Sequence, residues 1–155
     1  MSEANGTAEK QFAIQRIYTK DISFETPNAP IIFTQKWEPS VELNLGTQVQ
    51  PLDNAMFEVV LTLTVTVKTA DSVAYLVEIK QAGIFLMGGF TDQELGPMLG
   101  IVCPATLFPY AREAVSDLVT KGSFPQLILA PVNFDALYVQ HLQQAQQSLE
   151  PQTLN

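Results

Sequence analysis

The sequence predicts an α+β domain: an antiparallel sheet of about four strands with two main helices packed on one face. Two observations lead there. Apolar and polar residues alternate through the first half of the chain, and the spacing changes to that of a helix after Thr91. The length of 155 residues fits one such domain and leaves little room for a second. Residues 1–10, small and polar, are expected to be disordered. Residues 11–142 form the domain, and 143–155 a flexible, Gln-rich polar tail.

The first strand runs from Phe12 to Glu25, with Phe12, Ile14, Ile22 and Phe24 on one parity and Gln15, Thr19, Asp21, Ser23 and Glu25 on the other. Its alternation slips at Arg16-Ile17-Tyr18, which suggests a bulge. Thr26–Pro39 carries Pro27, Pro30 and Pro39 around Ile31, Ile32, Phe33 and Trp37, a loop by punctuation and a core segment by content. Val41–Leu45 is a short alternating strand. Phe57–Lys68 has the cleanest pattern, with Phe57, Val59, Leu61, Leu63, Val65 and Val67 facing one way. Glu58, Thr62, Thr64, Thr66 and Lys68 face the other. Thr69–Ser72 reads as a hairpin turn, and the next strand points Val73, Tyr75, Val77 and Ile79 inward. Gln81-Ala82-Gly83 is expected to shift its phase before Ile84–Met87.

Thr91-Asp92-Gln93-Glu94 has the capping-box pattern of a helix start, and Pro97 and Pro104 should break or kink the stretch after it. Leu107, Phe108, Ala111, Ala114, Val115, Leu118 and Val119 form an apolar stripe at helical spacing, ended by Lys121-Gly122. Ser123–Val132 is an apolar linker flanked by prolines. Asn133 is a good N-cap for a last helix with the face Phe134, Leu137, Tyr138 and Leu142.

With 46% hydrophobic but only 15% charged residues, against a usual charged share of about 25%, the chain has little charged surface and points to hidden subunit interfaces. Its net charge of −8 disfavours nucleic acid, which needs a basic patch, and favours basic or unfolded partners. Met1–Gly6 lacks the basic and apolar regions of a signal peptide, and no apolar run approaches bilayer length. A single cysteine, Cys103, allows no intrachain disulfide and fits a reducing cytosol, so a cytoplasmic location is expected.

Catalytic chemistry has little to work with. His141, the one histidine, lies among glutamines on the last helix and reads as solvent-facing. Cys103 in Ile101-Val102-Cys103-Pro104 has an apolar setting that would raise its thiol pKa and leave it inert. No CxxC, HExxH, GxSxG or phosphate loop occurs, so no catalytic residue, metal or cofactor is expected. Two surfaces stand out instead. Asp21, Glu25, Glu42 and Glu78 share the polar parity, with Leu76 beside Glu78. Such a face is either ordinary solvated sheet, diluted by Lys68 and Lys80, or a partner site. The apolar loops around Trp37 and Phe124 either complete the protein's own core or a subunit interface, or line a groove for extended apolar peptide.

Specific segments carry a resemblance. Gln15–Glu25 resembles the opening strand of the SecB export chaperones. Pro27–Pro30, Gly83–Phe85, Leu107–Glu113, Phe124–Leu127 and Leu129–Leu137 are similar to later motifs of that family. The resemblance covers residues 11–142 and implies a homotetramer, a dimer of dimers, with its first long helices between the sheets. It implies a non-enzymatic chaperone that keeps precursor proteins unfolded in the cytosol and delivers them to the SecA motor ATPase. The motor-docking surface it implies is Asp21, Glu25, Leu76 and Glu78, receiving a short basic tail whose zinc belongs to the motor. The implied client groove is Trp37, Val41, Leu43, Leu45, Phe124, Leu127, Phe134, Leu137 and Tyr138. Pro97 falls in a stretch that members keep helical, which implies a bent start to the interface helix, and Glu150 is the one charge after Leu142. A SecB-like chaperone dedicated to one partner, such as an antitoxin, is the alternative; an enzyme with a pocket among the aromatic loops is a third possibility.

Overall fold

In a computed structural model, which describes residues 9–149, four strands form one antiparallel sheet in the order β1-β4-β3-β2. The strands are β1 (Gln11–Glu25), β2 (Ser40–Pro51), β3 (Met56–Thr69) and β4 (Ser72–Gly88). Helices α1 (Asp92–Pro97), α2 (Cys103–Lys121) and α3 (Phe134–Leu149) come after them. Most of the segment expected to be disordered, residues 1–8, lies outside the described residues, as do residues 150–155 of the expected tail.

β3 and β4 occupy the centre, and their alternation determines which face is buried. Val59, Leu61, Leu63, Val65 and Val67 on β3 and Tyr75, Val77, Ile79 and Phe85 on β4 are all at most 1% exposed. Helix α2 lies on this face through Leu107, Phe108, Ala111, Val115 and Val119 of the stripe read from the sequence, with Cys103 added at its start and Ala114 and Leu118 only partly buried. Gly83 sits beneath α2: a Cβ there would stand 2.8 Å from Phe85 Cε2 and 3.1 Å from Leu107 Cδ2. Among the described residues no helix covers the opposite face, and Thr62, Thr64 and Thr66 remain half-exposed there.

Several elements are longer or arranged differently than the sequence suggested. β2 runs six residues past Leu45, to Pro51, because its ladder with β3 continues through Gly46–Pro51. β1 contains two bulges, between Ile14 and Arg16 and between Thr19 and Asp21. The phase shift expected in β4 at Gln81–Gly83 is absent; β4 keeps its register with β3 there, and the irregularity belongs to β1. The buried Gln81 side chain donates to the Tyr18 carbonyl at 3.0 Å, next to the second bulge. The loop after β1 includes a 3-10 turn, Ile31–Thr34, and a cis Ala29–Pro30 bond.

The β3–β4 hairpin turns at Ala70 and Asp71 with φ of 51° and 62°, the two left-handed residues of a type I′ turn. Neither residue is the Asn-Gly pair that adopts this conformation most readily. Replacing both, Ala70→Asn with Asp71→Gly, is therefore expected to raise unfolding stability by about 1–2 kcal/mol. A higher urea midpoint with an unchanged slope is the expected result.

Pro97 does not end the helical path. It lies at the end of α1, and the next five residues, Met98–Val102, form a π turn that leads directly into α2. Proline lacks an amide and crowds the preceding turn, and a widened turn accommodates it. Thr91 caps α1 by accepting the Glu94 amide at 3.3 Å. Asn133 caps α3, its Oδ1 accepting the Ala136 amide at 3.0 Å. α3 continues to Leu149, so much of the expected polar tail is helix. It docks on the π turn and on α2, with Phe134 edge-on to Phe108 at 5.9 Å.

Candidate functional site

The bare sheet face is built row by row from strand pairing, because residues paired across strands share a face. One row reads Glu25, Leu76, Thr66, Glu42; the next reads Ser23, Glu78, Thr64, Asn44. In the third, Asp21 stands beside Lys80 and Thr62. The pairing thus brings Asp21, Glu25, Leu76 and Glu78 together, with Glu42 at the far end of the Leu76 row. Asp21 and Glu25 are exposed, and Leu76 and Glu78 half-buried. Thr64 Oγ1 donates to Glu78 Oε2 at 3.4 Å. Among the described residues, none of the four carboxylates is held in a salt bridge. The face therefore offers carboxylates outside any salt bridge around one apolar side chain, with Lys80 beside Asp21.

Further along the same face, charges are already paired. The Tyr18 hydroxyl donates to Glu58, reaching across β4, and Lys20 Nζ lies 2.9 Å from the same carboxylate. Ala82 stands between Tyr18 and Val60 in the ladder, and its small side chain leaves room for that reach. The Tyr18 hydrogen bond and Lys20 hold the Glu58 carboxyl below its ordinary range, while burial and then Glu58 push Tyr18 up to about 12. Removing the bond by Tyr18→Phe is expected to cost about 1–2 kcal/mol, as for a partly exposed bond to a charge. A group whose folded pKa is depressed contributes stability above its unfolded pKa and loses it as pH falls through the folded value. The stability gap between the natural protein and Glu58→Gln should therefore be full above about pH 5 and close as pH drops below the usual glutamate range. Urea melts at a series of pH values would reveal a gap that failed to close.

The second surface gathers on the helix side at the hairpin end of the sheet. Phe124, in the loop after α2, is the hub: its ring lies 4.8 Å from Tyr75, 5.1 Å from Phe33 and 5.9 Å from Trp37. Gly122 lets this loop close on the sheet, since a Cβ there would meet Phe24 at 2.5 Å. Ser116 on α2 holds the loop by donating to the Leu127 carbonyl. Leu43, Leu45, Trp37 and Leu127 are partly buried against the core, while Val41 remains 47% exposed on the β2 edge. Ile31, Phe33 and Ile128 border the cluster with 67%, 49% and 68% of their surface in solvent. Phe33 and Tyr75 thus join the aromatic group expected from Trp37 and Phe124. Sequence spacing gave no signal for Tyr75, whose strand parity marks it only as core.

The α3 residues lie elsewhere. Phe134 is buried on Phe108, Leu137 is 39% exposed, and the Tyr138 ring rests against Gly96 and Gly100. A Cβ on Gly96 would stand 2.6 Å from the Tyr138 hydroxyl, and one on Gly100 would stand 2.5 Å from its Cδ2. His141 is exposed on α3. Cys103 is buried at the start of α2, where burial pushes its thiol to about 12. Among the described residues no group of three or more His, Cys, Asp or Glu could hold a metal, and no helix is long and apolar enough to cross a membrane.

Comparison with known proteins assigns this arrangement. The family described as preprotein translocase subunit SecB matches residues 5–145. The protein-export protein SecB of Methylococcus capsulatus is 63% identical, over 99% of both chains. That of Pseudomonas syringae pv. tomato is 54% identical, over 96% of this chain and 89% of its own. Among solved structures, a SecB-like chaperone of Mycobacterium tuberculosis, in complex with a peptide from the HigA1 antitoxin, matches with a TM-score of 0.65. That match covers 79% of this chain and 90% of the other at 20% identity, a likeness of fold. A family match across nearly the whole domain, with relatives this similar over 89–99% of their length, establishes that the chain belongs to the SecB family.

Proposed function

We propose that the protein is a protein-export chaperone that holds unfolded precursors in the cytosol and passes them to the SecA motor ATPase. The observation that carries this reading is the division of labour across one sheet. One face offers unpaired carboxylates around Leu76, and the other carries an aromatic cluster bordered by exposed apolar side chains. A client held on one side leaves the other free to dock.

The docking residues are Asp21, Glu25, Leu76 and Glu78, which receive the basic, zinc-bearing tail of the motor; the zinc remains with that tail. The client groove comprises Trp37, Val41, Leu43, Leu45, Phe124 and Leu127, and Phe134, Leu137 and Tyr138 of α3 add a second, separate client patch beyond it. Holding is physical rather than chemical. Many weak apolar contacts share the ordering cost of an extended chain, and several grooves in one assembly multiply modest affinities. The assembly is a homotetramer, a dimer of dimers. Phe12, Ile14 and Ile22 on the uncovered helix side of β1 support this, at 38%, 46% and 46% exposure. Relatives named for protein export favour this reading over a chaperone dedicated to one antitoxin.

Light scattering combined with a binding assay tests the proposal. The expected result is a tetramer that captures an unfolded precursor and ignores the same protein once folded. A monomer indifferent to unfolded chains would overturn it.

A further inference from the structure

The helix-facing parity of β3 is apolar from Phe57 to Val67 and then ends on a polar residue, Thr69. Thr69 is 1% exposed, and a buried hydroxyl costs free energy unless its hydrogen bonds are made. Both are made, and to one target. Thr69 Oγ1 donates to the Lys36 carbonyl at 2.7 Å and accepts the Glu38 amide at 2.9 Å. These belong to the two peptide groups on either side of the Trp37 Cα, so a single hydroxyl fixes the backbone before and after this tryptophan. The flanking side chains point outward, Lys36 and Glu38 forming an exposed ion pair at 2.9 Å. Trp37 turns inward, 5.9 Å from Phe124. Pro39 adds to the constraint by restricting Glu38 to extended conformations.

We infer that Thr69 is a positioning residue for client holding, its hydroxyl presetting Trp37 in the groove. The inference rests on the proposed placement of Trp37 in the client groove. A loop residue held before the client arrives loses less freedom on binding, and the contact it makes is correspondingly stronger. A threonine suits the task because its methyl group fills core volume while its hydroxyl, one donor and one acceptor, meets the two peptide groups.

The test compares Thr69→Val, which keeps the shape and removes the hydroxyl, with Thr69→Ser, which keeps the hydroxyl. Trp37→Ala is the control for the groove itself. Trp37 is the only tryptophan in the chain, so its fluorescence reports on this loop alone when the client lacks tryptophan. All proteins are compared at a temperature where circular dichroism shows them folded, and Thr69→Ala replaces Thr69→Val if the latter does not fold. Thr69→Val is expected to raise acrylamide quenching and lower the fluorescence anisotropy of Trp37. It should weaken client binding about five- to tenfold, the net worth of roughly one hydrogen bond. Binding of the motor's tail should not change, and Thr69→Ser should restore both fluorescence and client affinity. If Thr69→Val holds client as the natural protein does while Trp37→Ala does not, the positioning role is overturned and the groove stands. If Thr69→Ser behaves like Thr69→Val, the hydroxyl is not the cause and the inference also fails. A Trp37→Ala protein with full client affinity would overturn the groove placement, and the inference with it.

Discussion

Glu78→Lys is expected to weaken binding of the motor's basic tail by about ten- to a hundredfold while leaving client affinity unchanged. Glu78 is half-buried in the middle of its row, between Ser23 and Thr64 and one row from Leu76. Replacing it removes an attraction and installs a repulsion, beside Lys80, on the same face. Each change is worth about 1 kcal/mol or somewhat more for charges a few ångströms apart near a surface, which together gives the range stated. The proposed client groove lies on the opposite side of the sheet, where the substitution alters no contact. Glu113→Lys, on an exposed position of α2, changes net charge equally and serves as control. Titration calorimetry with the tail peptide at low and moderate salt measures both. Equal losses in the two variants would show that only overall charge matters, and the assignment to this face would fall. The loss in Glu78→Lys should also shrink as salt screens it.

The acidic face was legible because sheet geometry leaves little choice. Once the odd positions of β3 are apolar and buried, every even position, and every residue paired with one, must face the other way. Asp21 was the weakest case. The bulge at Thr19-Lys20-Asp21 lies in a run of polar residues, where alternation carries no signal, whereas the slip near Arg16 disturbs apolar residues and was visible. The second half of β2 was missed because Gly46–Pro51 forms an edge with few apolar residues to alternate. The last helix was cut short because its glutamines look like a tail. Yet glutamine is a fair helix former, and nothing in the sequence stops α3 before Leu149. The π turn between Pro97 and Pro104 answers to local crowding that spacing cannot describe. The aromatic cluster depends on contacts between Tyr75, Trp37 and Phe124, which are far apart in sequence, and no periodicity reveals them. Thr69 offered one signal, a polar residue at the end of an apolar parity.

Gly100 and Tyr138 should show a substitution whose sign reverses with its partner. Alanine is a better helix former than glycine by about 1 kcal/mol, so Gly100→Ala taken alone ought to stabilise this helical segment. Here the new methyl group would stand 2.5 and 2.7 Å from Cδ2 and Cε2 of Tyr138, well inside contact distance. Overpacking of this kind costs about 1–3 kcal/mol, which outweighs the propensity gain. Gly100→Ala is therefore expected to be destabilising on its own. In a Tyr138→Ala background the ring is gone, the methyl group meets open space, and the same substitution should become stabilising by a few tenths to about 1 kcal/mol. A double-mutant cycle measured by denaturant unfolding yields the coupling, and additive effects would show that the notch does not seat Tyr138. The consequence for function lies in how lightly α3 is held. Of its described side chains only Phe134 is buried and Tyr138 is partly covered, while residues 139–148 are exposed or nearly so. Displacing Tyr138 leaves Phe134 as the remaining buried anchor, so α3 can swing away from the π turn. With α3 carrying the second client patch proposed above, Gly100→Ala should weaken client holding but not tail binding, and Tyr138→Ala should do the same with no steric clash at all.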